Sequence, residues 1–307
     1  MNYQHIYHAG NFADVAKHTA LVFCLAALRR KAAGFFALDT HAGRGWYELG
    51  AAEAQRSGES SRGILRLSET AGGEPALHDY LAAVGAPGRA AGAPGSGGAG
   101  ARAGSSGGAS RGARARPSRY PGSPALIAAA LRSQDRALFV EMQPAEARAL
   151  ERQIESAGRV GVQLGDGYAA LKSQLPPKER RGLVLIDPPY EDPGEIDTVL
   201  DALADAHRRW PTGMLLIWYP ILSAAQRMAA RRRFTALGIP KMLSADLAVH
   251  PDDAHVGLAG SGLLIVNPPF GADDHLREAY AAIRLALSSR GAGYAEVSRL
   301  TPEQMAQ

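Results

Sequence analysis

The residues best suited to chemistry are Asp187, Pro188, Pro189 and Tyr190, which directly follow the apolar run 183–186. The Asp187 carboxylate and the Pro188 carbonyl can both accept a hydrogen bond from an exocyclic amine, and the paired prolines fix the angle between these acceptors. Tyr190 offers a face on which a base can stack, worth about 1–3 kcal/mol. Drawing both amine hydrogens towards acceptors frees the nitrogen lone pair, which is the nucleophile that a methyl transfer needs.

Asp-Pro-Pro-Tyr resembles the [Asp/Asn]-Pro-Pro-[Tyr/Phe] motif of amino methyltransferases that use S-adenosylmethionine. A second match, Asn-Pro-Pro-Phe at 267–270, follows the apolar run 261–266. The first match follows the fourth candidate strand, counted from Phe35. In methyltransferases with the unpermuted strand order, the motif follows this same strand. The second match follows the last strand. We therefore predict that 267–270 is a strand-terminating turn and that the chemistry belongs to Asp187.

Short apolar runs, several of them rich in β-branched residues, predict the buried strands of a parallel sheet. The predicted strands are 35–39, 137–141, 160–164, 183–186, 214–220, 241–249 and 262–266. The predicted helices are 11–30, 125–132, 145–157, 168–174 and 223–237, with three short ones at 49–53, 64–67 and 77–84. We expect the last two strands to form an antiparallel pair. The pattern predicts a class I (Rossmann-like) methyltransferase fold with a seven-stranded, mostly parallel sheet and a small inserted helical subdomain.

Acidic residues stand at the ends of successive predicted strands, where open α/β sheets bind their ligands. Glu141 ends the second strand and suits the hydroxyl groups of a ribose. Asp166 follows the third strand and Asp187 the fourth. The loop 40–45 contains small residues that let backbone approach a ligand, although a tight turn without a ligand has the same composition. Together the acids predict a nucleoside-binding edge of the sheet.

The first two predicted strands are separated by far more than the usual interval, which indicates an insertion. We predict an N-terminal substrate and cofactor segment that opens the methyltransferase domain (1–45), the inserted helical subdomain (46–119), the remainder of the methyltransferase domain (120–290) and a C-terminal tail (291–307). Within the insertion, 86–117 consists almost wholly of Gly, Ala, Ser, Pro and Arg. Such a segment buries too little apolar surface to order itself, so we predict a disordered loop.

Composition narrows the class of protein further. No run of 18 apolar residues is present, so we expect no membrane span, and residues 1–5 do not resemble a signal peptide. The single cysteine, Cys24, suits a protein of the reducing cytoplasm. We also expect the protein to be a monomer. Six arginines and no acid lie between residues 86 and 119, and without them the formal charge of +4 becomes −2. Net charge alone therefore does not indicate a nucleic-acid-binding face.

Two other groups of residues were considered as sites. His5, His8, His18 and His41 lack the spacing of zinc ligands, so we expect no metal. The arginines at 227, 231, 232 and 233 fall on one predicted helix, where phosphate contact and a solvated helix face are equal alternatives.

Four longer stretches, 8–18, 38–43, 120–124 and 185–190, together resemble the RlmJ family of bacterial methyltransferases, which act on an adenine N6 of 23S ribosomal RNA. The resemblance extends over nearly the whole chain except 86–117. It implies that S-adenosylmethionine is held by Lys17, His18, His41, Ser123, Glu141, Asp166, Gly167 and Asp187. It also implies Asp187 as the catalytic acceptor, assisted by Pro188 and Tyr190, and Tyr3 as a contact to the RNA. Met142 stands where the family has a histidine.

These observations predict direct methyl transfer to a flipped-out or single-stranded adenine of 23S rRNA, free or in early assembly. A DNA adenine methyltransferase would use the same chemistry, but we recognise no target-recognition domain. A non-catalytic RNA-binding assembly factor would not need the paired acceptors of Asp-Pro-Pro-Tyr. A nicotinamide-dependent dehydrogenase is disfavoured by the glycine-poor loop 40–45.

Overall fold

The computed structural model describes residues 4–85, 116–154, 159–251, 257–288 and 291–302. The predicted RNA contact Tyr3 and residues 86–115 of the predicted disordered loop lie outside these ranges.

One large sheet organises the molecule, and it contains eight strands rather than the predicted seven. The ten strands of the two sheets are β1 Phe36–Asp39, β2 Trp46–Glu48, β3 Arg119–Pro121, β4 Arg136–Glu141, β5 Val160–Leu164, β6 Gly182–Ile186, β7 Met214–Ile221, β8 Met242–Ala248, β9 Gly260–Val266 and β10 Tyr294–Arg299. The large sheet has the order β10-β8-β9-β7-β6-β1-β4-β5, and β2 pairs with β3 separately.

The parallel half of the sheet comprises β5, β4, β1, β6 and β7. In β1, Leu38 lies opposite Leu138 on one side and Val184 on the other. All five residues of β6 are buried, because helices cover both faces of this part of the sheet. The apolar runs in the sequence therefore predicted these strands correctly, and their carboxyl ends share one edge.

The antiparallel half supplies the eighth strand. β9 pairs with both β7 and β8, as the predicted antiparallel pair requires. β10 then pairs with β8 from Tyr294 opposite Ala248 to Arg299 opposite Leu243. The seven-strand prediction is wrong because β10 is an edge strand that mixes apolar and polar residues, so no continuous apolar run marks it in the segment that we predicted as a tail.

The helices form two layers, one on each face of the sheet. They are α1 Phe12–Arg29, α2 Ala52–Ser57, α3 Arg66–Thr70, α4 His78–Gly85, α5 Ser123–Ala130, α6 Pro144–Gln153, α7 Gly167–Gln174, α8 Glu195–Arg209, α9 Ala224–Ala236 and α10 Ala272–Leu287. Short 3-10 helices occupy His5–Tyr7 and Pro75–Leu77, and a π-helical turn occupies Ser61–Leu65. Helices α1, α4, α5, α6 and α10 bury one apolar cluster, and α7, α8 and α9 bury the other.

Helix α1 is the element that leads into the site. Of the two candidate caps, Asn11 and Asp14, Asn11 caps its N-terminus, and its side chain accepts hydrogen bonds from the amides of Ala13 and Asp14. The helix is buried along most of its length, which places polar residues of its first half inside the protein. Within the described ranges, no helix combines the length and the apolar character that a membrane span requires.

Three of the four arginines of α9 form ion pairs within the protein. Arg227 pairs with Asp246 and Glu296, and Arg231 pairs with the same two acids. Arg233 pairs with Asp197. These pairs hold α9 against β8, β10 and α8, so neither alternative describes the three guanidinium groups. Arg232 is exposed and has no ion pair among the described residues, as the solvated-face alternative requires.

Candidate active site

A cleft of about 1050 Å³ opens at the carboxyl ends of the parallel strands. Nine of the residues predicted for the site line it: Lys17, His18, His41, Ser123, Glu141, Gly167, Asp187, Pro188 and Tyr190. Asp166 precedes the lining residue Gly167, caps the N-terminus of α7 and is exposed. The structure thus brings Lys17 into contact with Asp187, although 170 positions separate them in the sequence.

Asp187 is held at the end of β6 by an ion pair with a buried lysine. The Nζ atom of Lys17 lies 2.5 Å from Oδ2 of Asp187 and 3.0 Å from Oδ1 of Asp14. Asp14 also accepts hydrogen bonds from the Gly10 amide and from Nε2 of His5, each at 3.0 Å. Lys17 therefore bridges two carboxylates, one structural and one facing the cleft.

Lys17 and Asp14 remain ionised although both side chains are buried. Burial alone would lower the pKa of Lys17, but Asp187 and Asp14 outweigh it and raise that pKa well above its ordinary value. Burial alone would raise the pKa of Asp14, but the charges of His5 and Lys17 hold it well below its usual range. The Asp187 carboxylate consequently has a permanent cationic partner.

The turn after β6 directs the aromatic ring of the motif towards β7. Tyr190 adopts a positive φ of 51°, which a non-glycine residue rarely does. Its hydroxyl donates to the carbonyl of Trp218 at 2.8 Å, and the two rings meet edge to face with centroids 5.7 Å apart. Lys17 lies 5.8 Å from the Trp218 ring. Trp218, which lines the cleft, was not predicted from the sequence.

His18 is buried, and a pair of tyrosines fixes its ring. Its Nδ1 lies 2.8 Å from the Tyr120 hydroxyl, which lies 3.1 Å from the Tyr80 hydroxyl. Burial lowers the pKa of His18 to about 3, and the charge of Asp14 only partly opposes this. His18 is therefore neutral at physiological pH, and α4 and β3 contribute to its orientation.

His41 is held in a similar way on the other side of β1. Its Nδ1 lies 2.8 Å from the hydroxyl of Thr40, which also donates to the Leu185 carbonyl at 3.0 Å. Its ring meets Tyr168 edge to face. Burial lowers the pKa of His41 to about 4, so this imidazole is neutral as well.

Backbone amides and close glycine contacts shape the rest of the cleft. Glu141 accepts hydrogen bonds from the Gly43 amide at 2.8 Å and from the Gln143 amide at 2.7 Å. Burial raises the pKa of Glu141, and these amides oppose the rise. A Cβ atom at Gly167 would lie 2.1 Å from the Thr40 carbonyl oxygen, so only glycine lets the two loops meet there.

Asp39 is a further acid at this edge, which the sequence marked only as a strand end. Its side chain is wholly buried, and Oδ2 has no hydrogen-bond partner among the described residues. Burial raises the pKa of Asp39 to about 7, and the nearby charge of Asp187 adds to the rise. Its position at the end of β1, between the strands that carry Glu141 and Asp187, was the available signal.

The second motif lies at the opposite end of the parallel strands, where it forms the predicted strand-terminating turn. β9 runs antiparallel to β7, with Val266 opposite Leu215 near the start of that strand. Asn267 donates from Nδ2 to the carbonyls of Pro211 and Gly213, both at 2.8 Å. It therefore closes a turn and does not face the cleft. In the part of the chain that the structure describes, no cluster of three or more His, Cys, Asp or Glu residues suits a metal ion.

The parallel sheet, its two helical layers and the cleft at the strand ends define a methyltransferase-like α/β fold. The sequence profile of the family described as "Ribosomal RNA large subunit methyltransferase D, RlmJ" matches residues 32–90 and 112–301. The chain belongs to this family. Membership of a methyltransferase family implies S-adenosylmethionine as the methyl donor.

Two curated relatives share one name, and each aligns with this chain over its whole length. "Ribosomal RNA large subunit methyltransferase J" of Haemophilus influenzae is 36% identical over 303 residues, covering 99% of this chain and all of the relative. The protein of that name from Escherichia coli K12 is 34% identical over 303 residues with the same coverage. A crystal structure from Legionella pneumophila has a TM-score of 0.80 and 29% identity, covering 95% of this chain and 98% of that one.

Proposed function

We propose that the chain transfers a methyl group from S-adenosylmethionine to the N6 amine of an adenosine in 23S ribosomal RNA. The observation that carries the proposal is Asp187 at the end of β6, held by Lys17 in a cleft and followed by Pro188 and Tyr190. The names of the curated relatives support RNA of the large subunit as the substrate class. The same names disfavour a DNA methyltransferase and a non-catalytic assembly factor.

The residues of the cleft fit the cofactor in size and in chemistry. A volume of about 1050 Å³ holds a drug-sized ligand with room for a base beside it. The cofactor carries amine and hydroxyl donors and two positive centres, which suit the carboxylates of Glu141 and Asp187. We infer that neutral His18 and His41, together with Lys17, Ser123, Asp166 and Gly167, complete its site.

In this mechanism the protein acts mainly by positioning. When bound, the cofactor supplies an electrophilic methyl group. Asp187 and the Pro188 carbonyl each accept a hydrogen bond from the adenine amine. These two hydrogen bonds reduce the conjugation of the nitrogen lone pair with the ring, so the lone pair can attack the methyl group. Tyr190 stacks on the base. Lys17 keeps the carboxylate in place through its ion pair. Positioning of two reactants can contribute about 7–11 kcal/mol, and the proton leaves during or after transfer, so no strong base is needed.

Because the N6 edge of a paired adenine is engaged, we infer an unpaired or flipped-out adenosine in free or early-assembly RNA, with Tyr3 in contact with it. A ribosomal RNA substrate also favours a cytoplasmic protein, which we propose acts as a monomer. We further infer that 46–119 forms a helical insertion in a class I methyltransferase domain, between 1–45 and 120–290.

The test incubates the protein with S-adenosylmethionine and either protein-free large-subunit rRNA or DNA, followed by mass spectrometry of the digested nucleosides. We expect N6-methyladenosine in the RNA alone. Asp187→Ala should reduce kcat by about 1000-fold, because it removes a preorganised acceptor at the reacting amine.

The matched control is Asn267→Ala, which removes the first residue of the second motif at the opposite end of the parallel strands. This variant should methylate RNA at the rate of the unmodified protein. Methylation of DNA only, or equal losses in the two variants, would overturn the assignment of Asp187.

A further inference from the structure

The charges around the cleft are unevenly distributed. Four cationic side chains line it, namely Lys17, Arg44, Arg62 and Arg66. Six carboxylates line it as well: Asp14, Glu59, Glu141, Glu146, Asp187 and Glu195. The lining is therefore acidic on balance, although an RNA that brings an adenosine into it carries one negative charge per nucleotide.

Two of the four cations are already neutralised. Lys17 pairs with Asp14 and Asp187, and Arg44 pairs with Glu146 at 2.6 Å. Neither of these side chains has its charge free for a phosphate. The positive charge available to a polyanion must come from elsewhere on the lining.

Arg62 and Arg66 are different, and we call this pair the arginine rim. Both are exposed, and in the described part of the chain neither forms an ion pair with a carboxylate. Arg62 donates to the Ser57 carbonyl at 3.1 Å, and Arg66 donates to the Ser288 carbonyl at 3.4 Å, at the end of α10. Glu59 lies near Arg62, but it accepts hydrogen bonds from His8 and Asn11.

Backbone contacts also join the segment that carries the arginine rim to the residues just before helix α1. The Ile64 amide, between the two arginines, donates to the Gly10 carbonyl at 2.8 Å. A Cβ atom at Gly63 would lie 2.1 Å from that same carbonyl oxygen. This backbone contact joins the π-helical turn to the residues that precede α1, which carries Lys17. The backbone that carries the rim is therefore held against the N-terminal end of α1.

We propose that Arg62 and Arg66 bind the phosphodiester backbone of the RNA next to the target adenosine. The inference rests on the proposed function and adds the surface by which the RNA enters an otherwise acidic cleft. Arginine suits this task because its guanidinium group binds phosphate oxygens in a bidentate manner. The contact orients the strand without reading its sequence.

The experiment compares the double variant Arg62→Ala/Arg66→Ala with the control Arg148→Ala/Arg232→Ala. The control arginines are also exposed and without a carboxylate partner in the described ranges, but they lie on α6 and α9 and do not line the cleft. Methylation of protein-free large-subunit rRNA gives kcat and KM for the RNA. Filter binding of the same radiolabelled RNA over a salt series gives the affinity without turnover.

We expect the rim variant to raise KM for the RNA by roughly tenfold with kcat and the KM for S-adenosylmethionine nearly unchanged. The slope of log K against log salt should fall by about 1.4–1.8, which corresponds to two lost phosphate contacts. The control pair should change neither quantity. Thermal melting of both variants checks that the fold is retained.

An unchanged salt slope in the rim variant would refute the proposal, and so would a loss of kcat at saturating RNA, since that result assigns the arginines to the catalytic step. Failure of the unmodified protein to methylate RNA would instead refute the proposed function. In that case the binding measurement still decides whether the rim contacts phosphate.

Discussion

At the scale of single residues, the site is a set of buried charges that stabilise one another. Lys17 contacts Asp14 within its own helix and Asp187 from β6. A buried charge without a partner is costly, so each member of this group requires the others. The motif identified Asp187 from the sequence alone, because a strand followed by two prolines is a local signal. The Lys17–Asp187 pair was not predictable, since 170 positions separate the two residues.

The buried histidines make stability depend on pH, and His18 allows a direct test. Its pKa is about 3 in the folded protein against an ordinary value of 6.5. Between these two pH values His18 binds a proton in the unfolded chain but not in the folded protein. The free energy of unfolding therefore has its full value, as far as His18 is concerned, above pH 6.5 and decreases as the pH falls. From pH 7.5 to 5.5 this group should lower the free energy of unfolding by about 1.4 kcal/mol, and His18→Gln should remove that decrease.

The measurement is denaturant unfolding of both proteins at pH 7.5 and 5.5. His41 and Asp39 titrate in the same window with opposite signs, but both are present in each protein and cancel in the comparison. The exposed His78 serves as the control, because His78→Gln should follow the pH dependence of the unmodified protein. Equal pH dependence in the His18→Gln variant would contradict the neutral, buried state of this ring.

At the scale of elements, the sequence predicted mainly the buried strands, because burial requires apolar residues. Strands covered on both faces appear as apolar runs, and β1, β4, β6 and β7 were located in this way. The edge strand β5 is partly exposed but was located as well. The strands β2, β3 and β10 were missed because two are only three residues long and the third is an edge strand that mixes apolar and polar residues. Helix α8 was not predicted although Val199, Leu203 and Ala206 recur at helical spacing and are buried.

The π-helical turn depends on Gly63, which adopts φ −100° and ψ −111° within it. In Gly63→Ala the new Cβ atom would meet the Gly10 carbonyl oxygen at 2.1 Å, which requires the backbones to separate. We expect a loss of about 1–3 kcal/mol in the free energy of unfolding, as for other overpacked sites. KM for the RNA should also rise, because the arginine rim is displaced from α1.

The matched control is Gly73→Ala, which lies in the same segment of the chain and has no atom within 4 Å of its added Cβ. Denaturant unfolding and RNA methylation are measured for both variants. If Gly63→Ala is destabilised while KM for the RNA stays at the control value, then the rim does not depend on this contact.

At the scale of the whole molecule, two groups of arginines are relevant to RNA binding. The arginine rim lies on the lining itself. Six further arginines lie between residues 86 and 119 and account for the positive formal charge of the chain. The family profile matches 32–90 and 112–301, so residues 91–111 have no counterpart in it. We infer that this interval between the two matched parts, which consists of Gly, Ala, Ser, Pro and Arg, is not needed for the reaction.

We therefore expect a variant that joins Ala90 to Gly112 to retain its activity. The deletion removes Arg102 and Arg111, which lowers the formal charge from +4 to +2. If the rim supplies the phosphate contact, kcat and KM for the RNA should stay within about twofold of the full-length values, and the salt slope should not change. Replacement of 91–111 by a Gly/Ser segment of equal length separates the loss of charge from the loss of length. A higher KM in both variants would show that these arginines contact RNA as well, whereas a higher KM in the deletion alone would assign the effect to the length of the connection.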